Sequence, residues 1–374
     1  MASLALRNLF HDRVRLVVTL TGIVFSIVLI IIQVGLYLGF KYTISTLIDN
    51  ANADLWVSAA GIPSIDLAVP IKERKRFQVL AVPGVAEAEN YIIAFSTWKL
   101  PDGRKESIEV VGFNPDKNLG SPWNLIEGSV EELKQPNTVV IDEFYKKKLG
   151  VSRIGDIVEI ADRRARVVGF TRGIRSFTTA PHAFTWEKNA FDYSPVREDE
   201  TVFILVKAAA GADLAGLRQR IKERVPDLDV FTTAEFAAKT QNYWLYDTGA
   251  GVSVLIAAAL GLVVGLVVVA QTIYASTMDH VREYGTLKAM GATNAYIFRV
   301  IIKQAVASAA MGYGMAMAIA LPIVHASANS SALILLPNEF AIAMFGISVL
   351  MCVSASLVSI RKVVTIDPAM VFKG

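Results

Sequence analysis

Residues 279–303 read DHVREYGTLKAMGATNAYIFRVIIK, a stretch that separates two long apolar runs and is too polar at its start to lie in hydrocarbon. Gly291 can take the positive φ that ends many helices, and Thr293 can cap the helix that follows. The stretch therefore predicts a short helix across a membrane face, a sharp turn and a new helix. Four side chains spaced three residues apart mark roughly one face of the short helix: Val281, Tyr284, Leu287 and Met290.

The composition of the 374-residue chain indicates membrane spans together with a sizeable soluble part. Hydrophobic residues make up 53% and charged residues only 19%, and the mean hydropathy of +0.44 exceeds that of ordinary soluble domains. The single cysteine, Cys352, lies in an apolar run, so no disulfide framework can form within one chain.

Four uncharged stretches are long enough to cross a bilayer, which needs roughly 20 residues. Pro322 and Pro337 interrupt the third stretch, so its helix is expected at 301–324. The first stretch is longer than a signal-peptide core and no small-residue cleavage site follows it, which favours an uncleaved anchor. The uncharged stretches are 16–40, 248–278, 304–338 and 340–360.

The distribution of basic residues predicts the orientation of these spans. Residues 1–15, 279–303 and 361–374 carry more Lys and Arg than Asp and Glu, whereas residues 325–339 carry no Lys or Arg. By the positive-inside rule, both termini and the central segment face the cytoplasm. The expected layout is a cytoplasmic amphipathic helix at 1–15, spans at 16–42, 248–278, 301–324 and 340–360, an outer domain at 43–247, a cytoplasmic segment at 279–300, an outer loop at 325–339 and a cytoplasmic tail at 361–374.

The outer domain alternates short β-rich runs with turn residues, which indicates a mixed α/β fold. The predicted strands are 53–58, 91–98, 106–113, 138–141, 157–160, 164–171 and 201–206, and the predicted helices are 71–81, 142–149 and 213–224.

Three features predict how the outer domain joins the spans. Thr232 and Glu235 fit a capping box, so a helix can start at Thr233 and continue unbroken into the second span. Gly261 and Gly265 form a GxxxG pair, suited either to packing within the chain or to dimerisation. Two aromatic belts are expected at the outer membrane boundary: Tyr37, Phe40 and Tyr42, and Tyr243, Trp244 and Tyr246.

Sequence motifs for enzyme chemistry are missing. No GxxxxGK[ST] motif occurs, so ATP would have to be hydrolysed by another polypeptide. No GxSxG occurs, and the four histidines are scattered, without HExxH or a close His/carboxylate cluster. We therefore expect no catalytic, cofactor-binding or metal-binding residues, and no residue can be assigned to substrate binding.

The stretch 282–292, REYGTLKAMGA, resembles the coupling segment of the MacB/FtsX-like family of ABC transporter permeases, and its continuation TNAY resembles the DevC branch. Residues 108–113 and 155–160 resemble parts of the MacB-like periplasmic core, and 366–369 resembles the C-terminal signature of the family. The resemblance implies an α-helical membrane protein with four transmembrane helices and a mixed α/β periplasmic domain inserted between the first two. In that domain, a β-rich insertion is expected near 85–190. The residues implied in coupling to an ATPase are Arg282, Glu283, Tyr284, Gly285, Leu287, Lys288, Ala289, Met290, Gly291 and Ala292.

The resemblance further implies the permease subunit of an ABC exporter in the bacterial inner membrane. Its expected partners are two copies of a cytoplasmic ATPase, which would hold the ATP and Mg, and a second copy of the permease or a paralogue. A periplasmic membrane-fusion adaptor and an outer-membrane channel would complete a tripartite system, and no nucleic acid is expected.

Three alternatives stay open at this point. One is a Lol-like permease that extracts lipoproteins or lipids from the outer leaflet. Another is an FtsX-like relay that signals to a cell-wall hydrolase, although such proteins usually have a smaller outer domain than residues 43–247. The third is a solitary membrane receptor without an ATPase partner.

Overall fold

The computed structural model describes residues 13–279, 281–328, 330 and 332–364. They fall into two compact units, a helical unit within Met1–Gly39 and Gly251–Gly374, and a mixed unit, Phe40–Ala250. Most of the predicted amphipathic segment at 1–15, and the tail beyond Val364, lie outside the described residues.

The elements are numbered in chain order. The helices are α1 (Arg13–Asp49), α2 (Arg74–Leu80), α3 (Lys146–Leu149), α4 (Glu187–Tyr193), α5 (Leu214–Arg224), α6 (Thr233–Asn242), α7 (Ala250–Asp279), α8 (Val281–Ala289), α9 (Asn294–Ser327) and α10 (Asn338–Val364). The strands are β1 (Leu55–Ala59), β2 (Ile71–Lys72), β3 (Val85–Lys99), β4 (Lys105–Phe113), β5 (Leu125–Gly128), β6 (Thr138–Asp142), β7 (Ile157–Ile160), β8 (Arg163–Thr171), β9 (His182–Trp186), β10 (Glu200–Thr201), β11 (Phe203–Ala208) and β12 (Leu228–Thr232).

Within the described residues, four helices are long and apolar enough to cross a membrane: Leu16–Asp49, Ala250–Asp279, Asn294–Ser327 and Asn338–Leu357. The predicted limits of the third span, 301–324, were too narrow. Pro322 lies inside α9 and does not end it, because membrane helices tolerate an interior proline when neighbouring groups take up the freed backbone bonds. The same helix starts at Asn294, directly after the cap residue Thr293 that the sequence indicated.

Glycines on α1, α7 and α9 allow close packing within the helical unit. A Cβ added to Gly265 would lie 2.4 Å from Ser26 Oγ, and one added to Gly261 would lie 2.8 Å from Leu29 Cδ2. Both predicted GxxxG residues on α7 therefore contact α1 of the same chain. The contacts of Gly22 with Val268 and of Gly312 with Ile23 are equally close.

The loop between α9 and α10 packs on a second glycine pair, Gly35 and Gly39, near the end of α1 in the helical unit. Leu335 N donates to Gly35 O at 3.0 Å. A Cβ added to Gly39 would lie only 1.9 Å from Leu333 O. Glycine is needed there because a backbone carbonyl, which cannot rotate aside like a side chain, occupies the space.

The mixed unit is built on a sheet of ten strands in the order β12-β1-β11-β3-β4-β9-β6-β8-β5, with β7 pairing both β3 and β8. The start of β3 pairs β11 and its remainder pairs β4. Because β7 joins β3 to β8, the strands β3, β4, β9, β6, β8 and β7 form a closed ring. We call it the six-stranded ring; it accounts for the β-rich insertion expected near 85–190.

Side chains that alternate along β1 bury both faces of the sheet. Leu55 and Val57 pack with Leu217 and Ile221 of α5 in one core. Trp56 points to the opposite face and joins the larger core, which extends into the six-stranded ring. Its indole ring lies 5.4 Å from the Phe203 ring and 5.3 Å from the Phe236 ring.

Pairing between segments distant in sequence explains the main differences from the prediction. The helix predicted at 71–81 starts only at Arg74, because Ile71 and Lys72 pair with β10. Strand β9, which was not predicted, pairs parallel to β4 and places His182 opposite Glu109. His182 Nδ1 lies 2.8 Å from Glu109 Oε2, a single pair that the scattered positions of the histidines in the sequence did not indicate.

The predicted unbroken helix from Thr233 into the second span is wrong. Its start is confirmed, because Thr232 and Glu235 form the capping box and α6 begins at Thr233. After Asn242, however, the chain passes through a π-helical turn, Tyr243–Asp247. Gly249 then adopts a left-handed φ of 78° before α7 begins at Ala250.

Candidate coupling site

The predicted coupling residues are brought together on one short helix and the turn after it. Seven lie on α8: Arg282, Glu283, Tyr284, Gly285, Leu287, Lys288 and Ala289. Met290 and Gly291 form the turn, and Ala292 precedes the cap of α9. Nothing is described of the side chains of Arg282, Tyr284 and Ala289, or of His280 before the helix.

The turn after α8 is a Schellman motif, which closes a helix through a left-handed residue. Gly291 has φ of 93°. Ala292 N donates to Leu287 O at 2.9 Å, and Gly291 N donates to Lys288 O at 3.0 Å. Nothing lies within 4 Å of a Cβ added to Gly291, so its backbone conformation, not lack of space, favours glycine. The predicted helix end is confirmed.

The start of α9 is fixed immediately after this turn. Thr293 has extended backbone, and its hydroxyl accepts a hydrogen bond from Tyr296 N at 3.3 Å. The predicted cap is therefore confirmed, and only Gly291 and Ala292 separate the turn residue Met290 from it. So short a connection, satisfied by hydrogen bonds at both ends, leaves little freedom between α8 and α9.

Leu287 is the packing anchor of α8. It lies against a small cluster centred on Ile297 and Ile301 of α9, with Ile273 of α7 in the same cluster. Ile297 is 2% exposed and Ile301 is fully buried. The anchor therefore joins the short helix to both helices that flank it in sequence. The sequence did not identify these partners, although Ile297 and Ile301 lie four residues apart on one helix face.

Other coupling residues are exposed and available to a partner. Glu283 is exposed, and Met290 is 72% exposed, so Met290 does not share the packed face of Leu287 as predicted. A repeat of three residues drifts away from the helical period of 3.6, and α8 has already ended at Ala289. Gly285, in contrast, is buried.

The helices that flank α8 are themselves packed on α1. Gly261 and Gly265 bring α7 against α1, and Gly312 brings α9 within contact of Ile23 on α1. Movement of the short helix would therefore reach α1 through either neighbour. Such an arrangement can transmit displacement. Across the described ranges, no group of three or more His, Cys, Asp or Glu side chains could hold a metal ion.

Both parts of the chain match known protein domains. Residues 16–224 match the MacB-like periplasmic core domain, and residues 255–368 match the FtsX-like permease C-terminal domain. The chain is 24% identical to an uncharacterized ABC transporter permease of Mycobacterium tuberculosis, with 99% of each chain covered. It is 28% identical to the macrolide export ATP-binding/permease protein MacB of Shewanella, over 67% of this chain and 40% of that protein.

Among solved structures, the periplasmic region of MacB from Actinobacillus actinomycetemcomitans matches 51% of this chain and 94% of its own, with 11% identity and a TM-score of 0.40. The family assignment rests on the two domain matches, the first of which alone covers more than half of the chain. The chain belongs to the MacB/FtsX-like family of ABC transporter permeases.

Proposed function

We propose that this permease is the membrane subunit of an exporter driven by a separate ATPase. Two ATPase subunits, which hold the ATP and Mg, bind at α8 and the following turn from the cytoplasm. A second permease copy or a paralogue completes the membrane part. The chain lies in the bacterial inner membrane with both termini in the cytoplasm, and the mixed unit acts in the periplasm with a membrane-fusion adaptor and an outer-membrane channel.

The packing of Leu287 is the observation that carries this proposal. One side of α8 is anchored to α7 and α9, while Glu283 and Met290 remain exposed. A partner that pushes on the exposed residues would move both flanking helices, because a packed cluster shifts as a unit instead of deforming continuously.

Two further observations support an ATPase in another polypeptide and an export function. The 374 residues contain no P-loop sequence. The Shewanella relative is named a macrolide export ATP-binding/permease protein, and this chain covers 40% of it. The proposal assigns no substrate to this chain and no catalytic residue.

The test separates transmission from binding. The full chain would be co-expressed with a candidate ABC ATPase from the same genome, purified in nanodiscs and assayed for ATP hydrolysis. Leu287→Pro breaks α8, at a cost of roughly 3 kcal/mol, and should lower the coupled ATPase rate by about tenfold or more. Glu283→Arg changes only an exposed charge and should weaken co-purification of the ATPase.

Glu339→Arg is the matched control, because Glu339 is also an exposed acidic residue but lies at the start of α10. It should leave both assembly and rate unchanged. If Leu287→Pro keeps full coupled activity, the role of α8 is refuted. If no ATPase co-purifies with the unaltered chain, the solitary-receptor alternative replaces the exporter.

A further inference from the structure

A loop in the mixed unit, residues 172–181 between β8 and β9, carries an aromatic side chain to the two segments by which the chain enters and leaves that unit. We call this loop the finger. The Phe177 ring lies 5.9 Å from the Phe40 ring, near the end of α1, and 5.0 Å from the Trp244 ring, in the π-helical turn. Both contacts are edge-to-face, a favourable geometry for aromatic pairs.

The base of the finger is held firmly by β6 and the residues that follow it. Asp142 Oδ2 accepts a hydrogen bond from Ile174 N at 2.8 Å. Tyr145 Oη accepts one from Ser176 N at 3.1 Å, and Lys148 Nζ donates to Thr179 O at 2.7 Å. Because these bonds bracket Phe177 on both sides, its position is set by β6 of the six-stranded ring and by the segment that follows β6.

The segments that Phe177 contacts are also tied to each other and to the mixed unit. Gln241 Nε2 at the end of α6 donates to Ser45 Oγ of α1 at 2.8 Å. Trp244 Nε1 donates to Asp66 Oδ1 at 3.0 Å. Phe40 and Trp244, which were predicted to lie in aromatic belts at a membrane boundary, each contact the Phe177 ring.

We propose that Phe177 is a positioning residue that holds the π-helical turn against the end of α1, so that the six-stranded ring and both connecting segments move together. This inference adds a residue to the proposed function, and its consequence for movement rests on that function. Movement that arrives along either segment is delivered to the ring, the part of the mixed unit farthest along the chain from both connections.

Hydrogen exchange of the full chain in nanodiscs tests the contact without any ATPase. Thr248 N and Gly249 N donate to Tyr243 O and Tyr246 O in the π-helical turn, so their exchange reports on its opening. Phe177→Ala should raise exchange at these two amides by about tenfold, the effect of losing two aromatic contacts. Amides that pair β1 with β11 should keep their rates, and Phe177→Tyr should restore the slow exchange.

Coupling must be reciprocal, so Trp244→Ala should in turn raise exchange at the Ser176 and Thr178 amides of the finger. Phe77→Ala is the control, because Phe77 is a 55% exposed aromatic residue of α2, an element that does not take part in the bonds that hold the finger. Unchanged exchange at Thr248 and Gly249 in Phe177→Ala would overturn the proposal. So would an increase spread over the whole mixed unit, because Phe177 would then be an ordinary core residue.

A second measurement distinguishes this result from the fate of the proposed function. The ATPase rate of the assembled complex should fall in Phe177→Ala while the amount of bound ATPase stays constant. If the exchange effect is found and the rate does not change, Phe177 joins these segments without carrying ATP-driven movement, and the positioning role in coupling is rejected. Failure of any ATPase to bind the unaltered chain would refute the exporter instead.

Discussion

The chain passes between its two units twice, and the two connections are built differently. The first is the continuous helix α1, Arg13–Asp49, in which no residue has positive φ. The second leaves α6, passes through the π-helical turn and reaches Gly249, whose φ is 78°. A continuous helix keeps its i→i−4 hydrogen bonds throughout, whereas a left-handed glycine interrupts them.

This difference reverses the expectation for the second connection. The sequence predicted a continuous helix in the second connection, from Thr233 into the second span. In the structure only α1 is continuous, and within the helical unit α1 receives the close contacts of α7 and α9 at Gly265 and Gly312. We therefore expect the first connection to depend more strongly on an intact helix than the second.

The largest expected effect comes from placing proline in each connection. Lys41 is an exposed residue within α1, so Lys41→Pro tests the backbone alone and should cost about 3 kcal/mol or more of stability. Ala250 is the first residue of α7, a position where proline is tolerated. Ala250→Pro removes the hydrogen bond from Ala250 N to Thr248 Oγ1 and should cost about 1 kcal/mol. Thermal unfolding of the purified full chain measures both changes in stability. Equal losses of stability would contradict the difference between the first and the second connection.

A smaller effect is expected from alanine at the glycine of each connection. The Cβ of Gly39→Ala would meet Leu333 O at 1.9 Å, so overpacking should cost about 1–3 kcal/mol. The Cβ of Gly249→Ala would meet no neighbour within 4 Å. Its only cost is that alanine must adopt a left-handed backbone, which should lower stability by roughly 1 kcal/mol.

Gly249→Asn is the control, because asparagine tolerates a left-handed backbone and should lose less stability than alanine. If Gly39→Ala proves as mild as Gly249→Asn, the loop between α9 and α10 does not pack on α1 as described.

The smallest effect concerns pH at the second connection. Burial raises the pKa of Asp66 above its ordinary value of 3.8, and the hydrogen bond from Trp244 lowers it in part. The folded state therefore binds the Asp66 proton more tightly than the unfolded state, so this contribution to stability is full below pH 3.8 and is lost as pH rises through the folded pKa.

Trp244→Phe removes the donor that favours the carboxylate, so the folded pKa rises further. We expect the variant to lose about 1 kcal/mol at pH 7 and less near pH 3. Unfolding temperatures of the variant and the unaltered chain across this range measure the difference. In an Asp66→Asn background the difference should no longer depend on pH; a dependence that persists there would assign it to another group.

The parts of the fold that sequence could predict are those set by local rules. Gly291 and Thr293 act through their own backbone and hydroxyl groups, and the capping box at Thr232 acts within four residues, so each was predicted correctly. Strands β9 and β12 and the pairing of β2 with β10 depend on segments far away in sequence and were missed. The break at Gly249 was also missed. Trp244, in the turn before it, contacts Asp66 and Phe177, which are distant in sequence.

The candidate site divides in the same way. The residues of α8 and its turn were identified by resemblance, and the turn geometry followed from glycine. The partners of Leu287 could not be identified, because Ile273, Ile297 and Ile301 come from two helices. The exposure of Met290 was mispredicted because a spacing of three was extended beyond the last residue of the helix.

The occupied glycine pair on α7 has a consequence for experiments on oligomeric state. Gly261 and Gly265 already hold Leu29 and Ser26 of their own chain. A bulky replacement such as Gly265→Leu would first unpack the subunit from within. Any loss of self-association seen in such a scan would then report a damaged monomer, and would be misattributed to a subunit boundary at that motif.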